Sequence, residues 1–190
     1  MKIIIAGVDE VGRGSLVGPV YAAAVILNKN LDKKKLKDSK KLSKKNREIL
    51  EKYIKKNSYW SIGSASLKEI DELNILNASL IAMKRAIIKL NKKPSYILID
   101  GNRVPKMKNY KLKSIIKGDQ KVPEISAASI IAKVARDRLI NKISKKYKNY
   151  AWDKNAGYGT KLHLFAIKKF GVTRHHRKTF SPIHNILSPH

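Results

Sequence analysis

The stretch Ile3-Ile4-Ile5-Ala6-Gly7-Val8-Asp9-Glu10-Val11-Gly12-Arg13-Gly14 decides how the rest of the chain is read. Its β-branched start fits a pleated, enclosed surface, so it reads as a buried strand. The strand hands its last residues to two acids and then to glycines. Glycine lets backbone approach a ligand without a Cβ in the way. Carboxylates, an arginine and bare backbone together suggest a metal and a phosphate. An isolated Asp-Glu pair would more simply be a solvated turn, so the remainder of the chain has to decide.

Working outward, Val20–Leu27 reads as a second buried strand behind the punctuation of Gly18-Pro19. Ser43 N-caps an expected helix from about Lys44 to Lys56. Tyr59–Ala65 and Tyr96–Ile99 are expected strands, and Lys113–Lys117 is an expected fifth. A helix is expected over Ile75–Leu90, where Leu76, Leu80, Met83 and Ile87 recur at helical spacing. Pro123–Tyr147 carries the stripe Ile131, Ala135, Leu139, Ile143, with Ala128 and Ala132 small enough to let a helix lie close to a sheet. A last helix is expected over Lys161–Phe170, closed by Gly171. Strands cluster first and then alternate with helices. That order implies an α/β fold, a mixed sheet with helices on its faces and a helical C-terminal part.

The 190 residues are expected to form one domain, with about 140–190 as its C-terminal helical region. The absence of cysteine excludes disulfides, iron–sulfur clusters and Cys-ligated zinc. No apolar run is long enough to span a bilayer, and the short apolar start before Asp9 does not make a signal peptide, so the expectation is a cytoplasmic protein. Lys and Arg number 42 against 14 Asp and Glu, a net charge of +28. Such an excess points to a polyanion, most simply nucleic acid. Part of it reads as coding bias, because the chain is rich in Lys, Ile and Asn together.

Against that background the acids stand out. Asp9, Asp100 and Asp119 each come at the end of an expected strand, Asp100 and Asp119 beside a glycine and Asp9 shortly before Gly12. Ligand sites of open α/β sheets gather at strand ends. If the strands are neighbours, Asp9, Glu10, Asp100 and Asp119 meet at one sheet edge, where their repulsion calls for cations. Oxygen-only ligands suit Mg²⁺ or Mn²⁺, and two such ions roughly 3.5–4 Å apart cleave phosphodiesters. Adjacent strand side chains alternate faces, so Asp9 and Glu10 share a site only through a bend at Glu10, which the following glycines make cheap. Asp137 reads as an ion pair with Lys133 and stands in reserve.

Six ordered motifs carry a resemblance: Asp9-Glu10-Val11-Gly12-Arg13-Gly14; Asp38-Ser39-Lys40-Lys41-Leu42; Ile99-Asp100-Gly101; Lys117-Gly118-Asp119; Ser126 through Asp137; and Gly157-Tyr158-Gly159-Thr160-Lys161. Together they resemble bacterial ribonuclease HII over nearly the whole chain. The resemblance implies an RNase H-like fold and metal-dependent cleavage of RNA in RNA–DNA hybrids. It also implies nicking 5′ to a single ribonucleotide embedded in duplex DNA. It places two Mg²⁺ or Mn²⁺ ions on Asp9, Glu10, Asp100 and Asp119. Junction sensing falls on Gly12, Arg13, Gly14 and Tyr158, and phosphate contact on Lys40. A monomer is the default, and a sliding clamp is compatible but indicated by no tail motif. Two other readings compete: an RNase H-like DNA nuclease of resolvase or transposase type, and a non-catalytic basic nucleic-acid-binding protein.

Overall fold

The computed structural model describes residues 3–36 and 42–188. Five strands form one sheet in the order β3-β2-β1-β4-β5. They are β1 (Ile5–Val11), β2 (Val20–Leu27), β3 (Ser58–Ala65), β4 (Tyr96–Asp100) and β5 (Leu112–Ile115). β1, β2 and β3 pair antiparallel, whereas β4 lies parallel to β1 and β5 parallel to β4. The mixed sheet is therefore as expected. β2 is almost continuously apolar because helices cover it on both sides.

Strand alternation sorts the core into two layers. Ala6, Val8, Ala22, Ala24, Ile97 and Ile99 face α2 (Leu67–Ile88). Ala23 and Val25 face α4 (Pro123–Ser144) and, beyond it, α1 (Lys44–Lys56). Gly7 has the same parity as Asp9, and the backbone of α4 rests directly on it. A Cβ on Gly7 would lie 2.0 Å from the Glu124 carbonyl carbon and 2.2 Å from the Ile125 nitrogen. A third apolar cluster joins Leu16 and Val17 to Ile140, Tyr150, Trp152, Ile167 and Ile183. It ties the C-terminal elements, α5 (Trp152–Asn155), α6 (Lys161–Phe170) and α7 (Ser181–Leu187), to the segment after β1.

Three expectations are corrected. α2 begins at Leu67, because Ser66 and Glu69 form a reciprocal capping box. Asn74 breaks it at φ 66°, and its Oδ1 accepts from the Asn77 amide at 3.1 Å, re-capping the second half near the expected start at Ile75. Asp119 follows no strand directly: β5 ends at Ile115, and Asp119 lies in the first turn of α3 (Gly118–Lys121). The chain also makes no bend at Glu10. β1 stays paired with β2 through Val11, and the turn comes at Gly12, φ 91°.

The Gly7 contact is backbone on backbone, so no rotamer change relieves it. Gly7→Ala is expected to lower unfolding free energy in urea by about 3 kcal/mol. Gly14→Ala, with open space around its Cα, is expected to leave it within about 0.5 kcal/mol of the parent.

Candidate active site

β1 and β4 deliver the first acids side by side. Their parallel register ends at Val8 opposite Ile99, so Asp9 and Asp100 occupy the next positions. Ile97 and Ile99 face α2, so alternation sends Asp100 toward α4, as it does Asp9. Glu10 leaves from the other face, at the sheet edge. The Asp9 carboxylate accepts from the Glu10 amide at 2.7 Å, and Ser129 on α4 donates to it as well. The Gly118 amide donates to Asp100 Oδ1 at 2.7 Å, which anchors the turn carrying Asp119. A Cβ on Gly118 would fall 2.6 Å from Ile125 Cδ1 and 3.3 Å from Asp100 Oδ1, so glycine is needed for that approach.

Burial, then the charges of Glu10 and Asp100, push the Asp9 carboxyl well above the usual carboxylate range. Glu10 is raised as well, by burial first, with Arg13 opposing and Asp100 adding. Arg13 reaches Glu10 Oε1 at 3.3 Å, while Glu10 Oε2 is buried with no hydrogen-bond partner. Among the described residues no three acid, His or Cys side chains already stand as a closed metal-binding group. The donor chemistry nevertheless fits a divalent cation: hard oxygens, mutual repulsion, and an orphaned buried oxygen that water does not reach.

The turn that follows is built from behind by two buried arginines. Arg136 on α4 donates to Val17 O at 2.9 Å and to Ala156 O at 3.1 Å. A Cβ on Gly12 would lie 2.2 Å from Arg136 Nε, so Gly12 is both the turn residue and the space for this guanidinium. Arg177 donates to Gly18 O at 2.9 Å and to Arg13 O at 2.8 Å. Among the described residues neither pairs with a carboxylate within 4 Å. Burial lowers both, with Arg177 brought down to about 9 with the help of the neighbouring Arg136 charge.

Tyr158 is brought to this turn. Ser15 bridges to Tyr158, Leu16 N donates to Gly157 O at 2.9 Å, and the buried Ser15 hydroxyl contacts Gly157 O at 3.0 Å. The half-buried Tyr158 ring lies 5.7 Å from Arg136 Cζ and 6.0 Å from Lys133 Nζ. Arg13 and Gly14 form the exposed crest. Asp9, Glu10 and Asp100 are thus within electrostatic reach of one another. Gly12, Arg13, Gly14 and Tyr158 form one continuous element beside them, and Asp119 follows the Gly118 amide held by Asp100. Lys40 lies outside the described residues. Asp137 pairs with Lys133 at 2.8 Å, the ion pair its helical spacing predicts.

Arg136, Arg177 and Ser129 were not singled out from the sequence. One signal existed: Arg136 continues the Ala128, Ala132 line by four more residues, a charge on a stripe otherwise small and apolar.

The sequence pattern of ribonuclease HII matches residues 6–183. The chain belongs to the ribonuclease HII family. A ribonuclease HII of Pelagibacter ubique is 71% identical over 98% of this chain and all of that one. Three solved structures share the fold. Ribonuclease H2 of Pyrococcus horikoshii is 28% identical over 97% of both chains, with a TM-score of 0.80. The RNase HII of Archaeoglobus fulgidus, solved as a complex with PCNA, is 26% identical over 94% of this chain and 96% of that one, also at 0.80. Bst RNase HIII in complex with Mn²⁺ is 16% identical over 97% of this chain and 69% of that one, at 0.71, a likeness of fold. The enzyme is accordingly a ribonuclease H, a hydrolase acting on RNA in RNA–DNA hybrids. Among the described residues no helix is long and apolar enough to cross a membrane.

The buried cluster behind Tyr158 gives a pH prediction. Burial first, then neighbouring His163, brings His176 down to about 4 from 6.5. A group depressed in the folded state stabilises it above the unfolded value and loses that contribution as pH falls toward the folded one. His176→Asn keeps an acceptor for the Thr173 amide but does not titrate. Between pH 7 and pH 5 the parent is therefore expected to lose about 2 kcal/mol more unfolding free energy than this variant.

Proposed function

We propose that the enzyme nicks duplex DNA on the 5′ side of a single embedded ribonucleotide, in addition to cleaving RNA–DNA hybrids. The acids at the edge of β1 and β4 carry the cut in this reading, and the Gly12–Gly14 turn with Tyr158 places it. The observation that carries the reading is the orphaned, buried Glu10 Oε2 beside desolvated Asp9, two residues from the turn that holds Tyr158.

Asp9, Glu10, Asp100 and Asp119 would hold two divalent cations, Mg²⁺ or Mn²⁺. When bound, such a pair supplies an activated water and neutralises charge on the leaving 3′-oxygen. The Mn²⁺ complex of the RNase HIII relative supports this choice of ion. Ser129 and the Glu10 amide orient Asp9, and the Gly118 amide orients Asp100. Exposed Arg13 and the backbone of Gly12 and Gly14 face the ribose, whose 2′-hydroxyl is the group that separates RNA from DNA. The Tyr158 ring stacks on the next sugar and rejects a second 2′-hydroxyl by bulk. Lys40 contacts phosphate. Residues 1–190 act as one catalytic unit, with the C-terminal helices adding substrate contacts. The products carry a 5′-phosphate and a 3′-hydroxyl. The relative solved with PCNA makes a sliding clamp a reasonable further partner for the cytoplasmic enzyme, which otherwise acts as a monomer.

With Mg²⁺, duplex DNA containing one ribonucleotide is expected to be nicked 5′ to it. Asp100→Asn should slow this at least roughly a hundredfold, the upper range for loss of a ligand's supporting partner. Tyr158→Ala should slow it far more than it weakens DNA binding. An intact embedded substrate, or equal cleavage of all-DNA branched duplexes, would reject the reading.

Metal linkage gives a second check. Mn²⁺ should raise the melting temperature of the parent and leave that of Asp9→Asn unmoved. Without metal, Asp9→Asn should melt at or above the parent, because a desolvated charge has been removed. A lower melting point would contradict the burial argument.

A further inference from the structure

Behind Tyr158 lies a set of buried groups that the cut itself does not use. His163 of α6 and Trp152 are wholly inaccessible, and His176 is nearly so. Their hydrogen-bond roles follow from chemistry. Trp152 Nε1–H can only donate, and it meets His163 Nε2 at 2.8 Å, so that nitrogen accepts. The proton of neutral His163 is then on Nδ1, where the partner at 2.9 Å is the Tyr158 carbonyl, which can only accept. His176 Nδ1 accepts from the Thr173 amide at 2.8 Å, so its proton is on Nε2 and points to His163 Nε2 at 3.2 Å. His163 Nε2 has one lone pair, which Trp152 takes at 2.8 Å and the longer His176 contact at 3.2 Å shares only weakly. The chain of donors runs from the Thr173 segment through His176 and His163 and ends on the backbone of Tyr158.

We infer that His163 is a positioning residue for ribonucleotide recognition, acting through its Nδ1–H bond to the Tyr158 carbonyl. The inference rests on the proposed role of Tyr158 as junction sensor. The geometry around it is demanding. Gly157 takes φ 78°, and a Cβ there would lie 2.9 Å from both Ser15 Oγ and Val17 Cβ, and Thr160 N donates to Tyr158 O at 2.8 Å. The Tyr158 carbonyl thus sits between two donors, one from its own turn and one from α6. Without the second donor the segment keeps its bridge to Ser15, but the direction in which the ring leaves the backbone is no longer fixed. The groups facing the pair are aromatic or neutral apart from exposed Arg174 next to His175. Burial keeps both histidines uncharged, His163 lowered and His176 to about 4, which agrees with the single tautomer of each.

Two near-isosteric substitutions separate position from packing. In His163→Asn the amide nitrogen can take the place of Nδ1 and keep the bond to Tyr158. In His163→Gln the amide reaches toward Trp152 and the Nδ1 donor is lost. The quantity read is the ratio of cleavage rates on a duplex with one embedded ribonucleotide and on a uniform RNA–DNA hybrid, with melting temperature measured alongside. His163→Gln should lower the ratio about tenfold, the upper range for one neutral hydrogen bond, and His163→Asn should hold it within about threefold. Comparable losses of melting temperature in both variants, with the ratio falling only in the glutamine variant, support the positioning role. A ratio unchanged in both, or falling in both in step with melting temperature, overturns it. Tyr158→Ala is run beside them. A collapsed ratio there with an intact ratio in His163→Gln rejects the inference alone, whereas an intact ratio in Tyr158→Ala rejects the junction-sensing reading and the inference with it. Should the glutamine variant fail to fold, ¹⁵N NMR of the parent decides: a proton on His163 Nδ1 coupled to the Tyr158 carbonyl is required, and a proton on Nε2 contradicts it.

Discussion

The close approach of α4 to β1 at Gly7 sets the positions of everything that matters at the site. Helix backbone rests on strand backbone there, with no side chain between them. From that contact the two elements run in step. Gly7 to Asp9 is about 6.6 Å of strand, and Ile125 to Ser129 is about 6 Å of helix, so Ser129 meets Asp9. Asp9 to Gly12 is about 10 Å of strand, and Ser129 to Arg136 is about 10.5 Å of helix, so Arg136 arrives under Gly12. One contact thus aligns Ser129, which bonds the Asp9 carboxylate, and Arg136, which shapes the turn at Gly12.

This alignment explains why an acidic edge and a basic turn can adjoin at a short distance. The acids are desolvated and repel one another, which raises Asp9 and Glu10. Among the described residues Arg136 and Arg177 are buried without carboxylate partners, and burial lowers both. Arg13 spans the two, through Glu10 Oε1. An edge that strains to shed charge is suited to cations, and a turn backed by buried guanidiniums is suited to a phosphate backbone. The net charge of +28 strengthens attraction to any polyanion. In the proposed reading the short spacing from Glu10 to Gly12 places the cut, which charge alone would not do.

Much of this was legible in the sequence. β2, α1 and α6 lie where their patterns placed them, because a continuous apolar run, a Ser43 cap and a Gly171 stop are local signals. The grouping of Asp9 with Asp100 was legible because both end apolar strands. The start of α2 was missed because its first turn is mostly polar, although Ser66 and Glu69 spelled a capping box. Asp119 was placed at a strand end because Lys113–Lys117 looks extended; the left-handed Lys117, φ 56°, that opens α3 leaves no trace in residue type. The bend expected at Glu10 fell two residues later, since pairing with Ala22 and Tyr21 continues through Val11. Arg177 and His176 were unreadable because their partners, Arg13, Gly18 and His163, are distant in sequence and become neighbours only when the tail folds back on Leu16–Gly18.

Anomalous diffraction from crystals of the enzyme grown with Mn²⁺ and a duplex carrying one ribonucleotide addresses the central claim most directly. The account predicts two manganese peaks bonded to oxygens drawn from Asp9, Glu10, Asp100 and Asp119, with the ribose 2′-hydroxyl against the Gly12–Gly14 backbone. Manganese bound elsewhere, or a ribose held away from that turn, would contradict it.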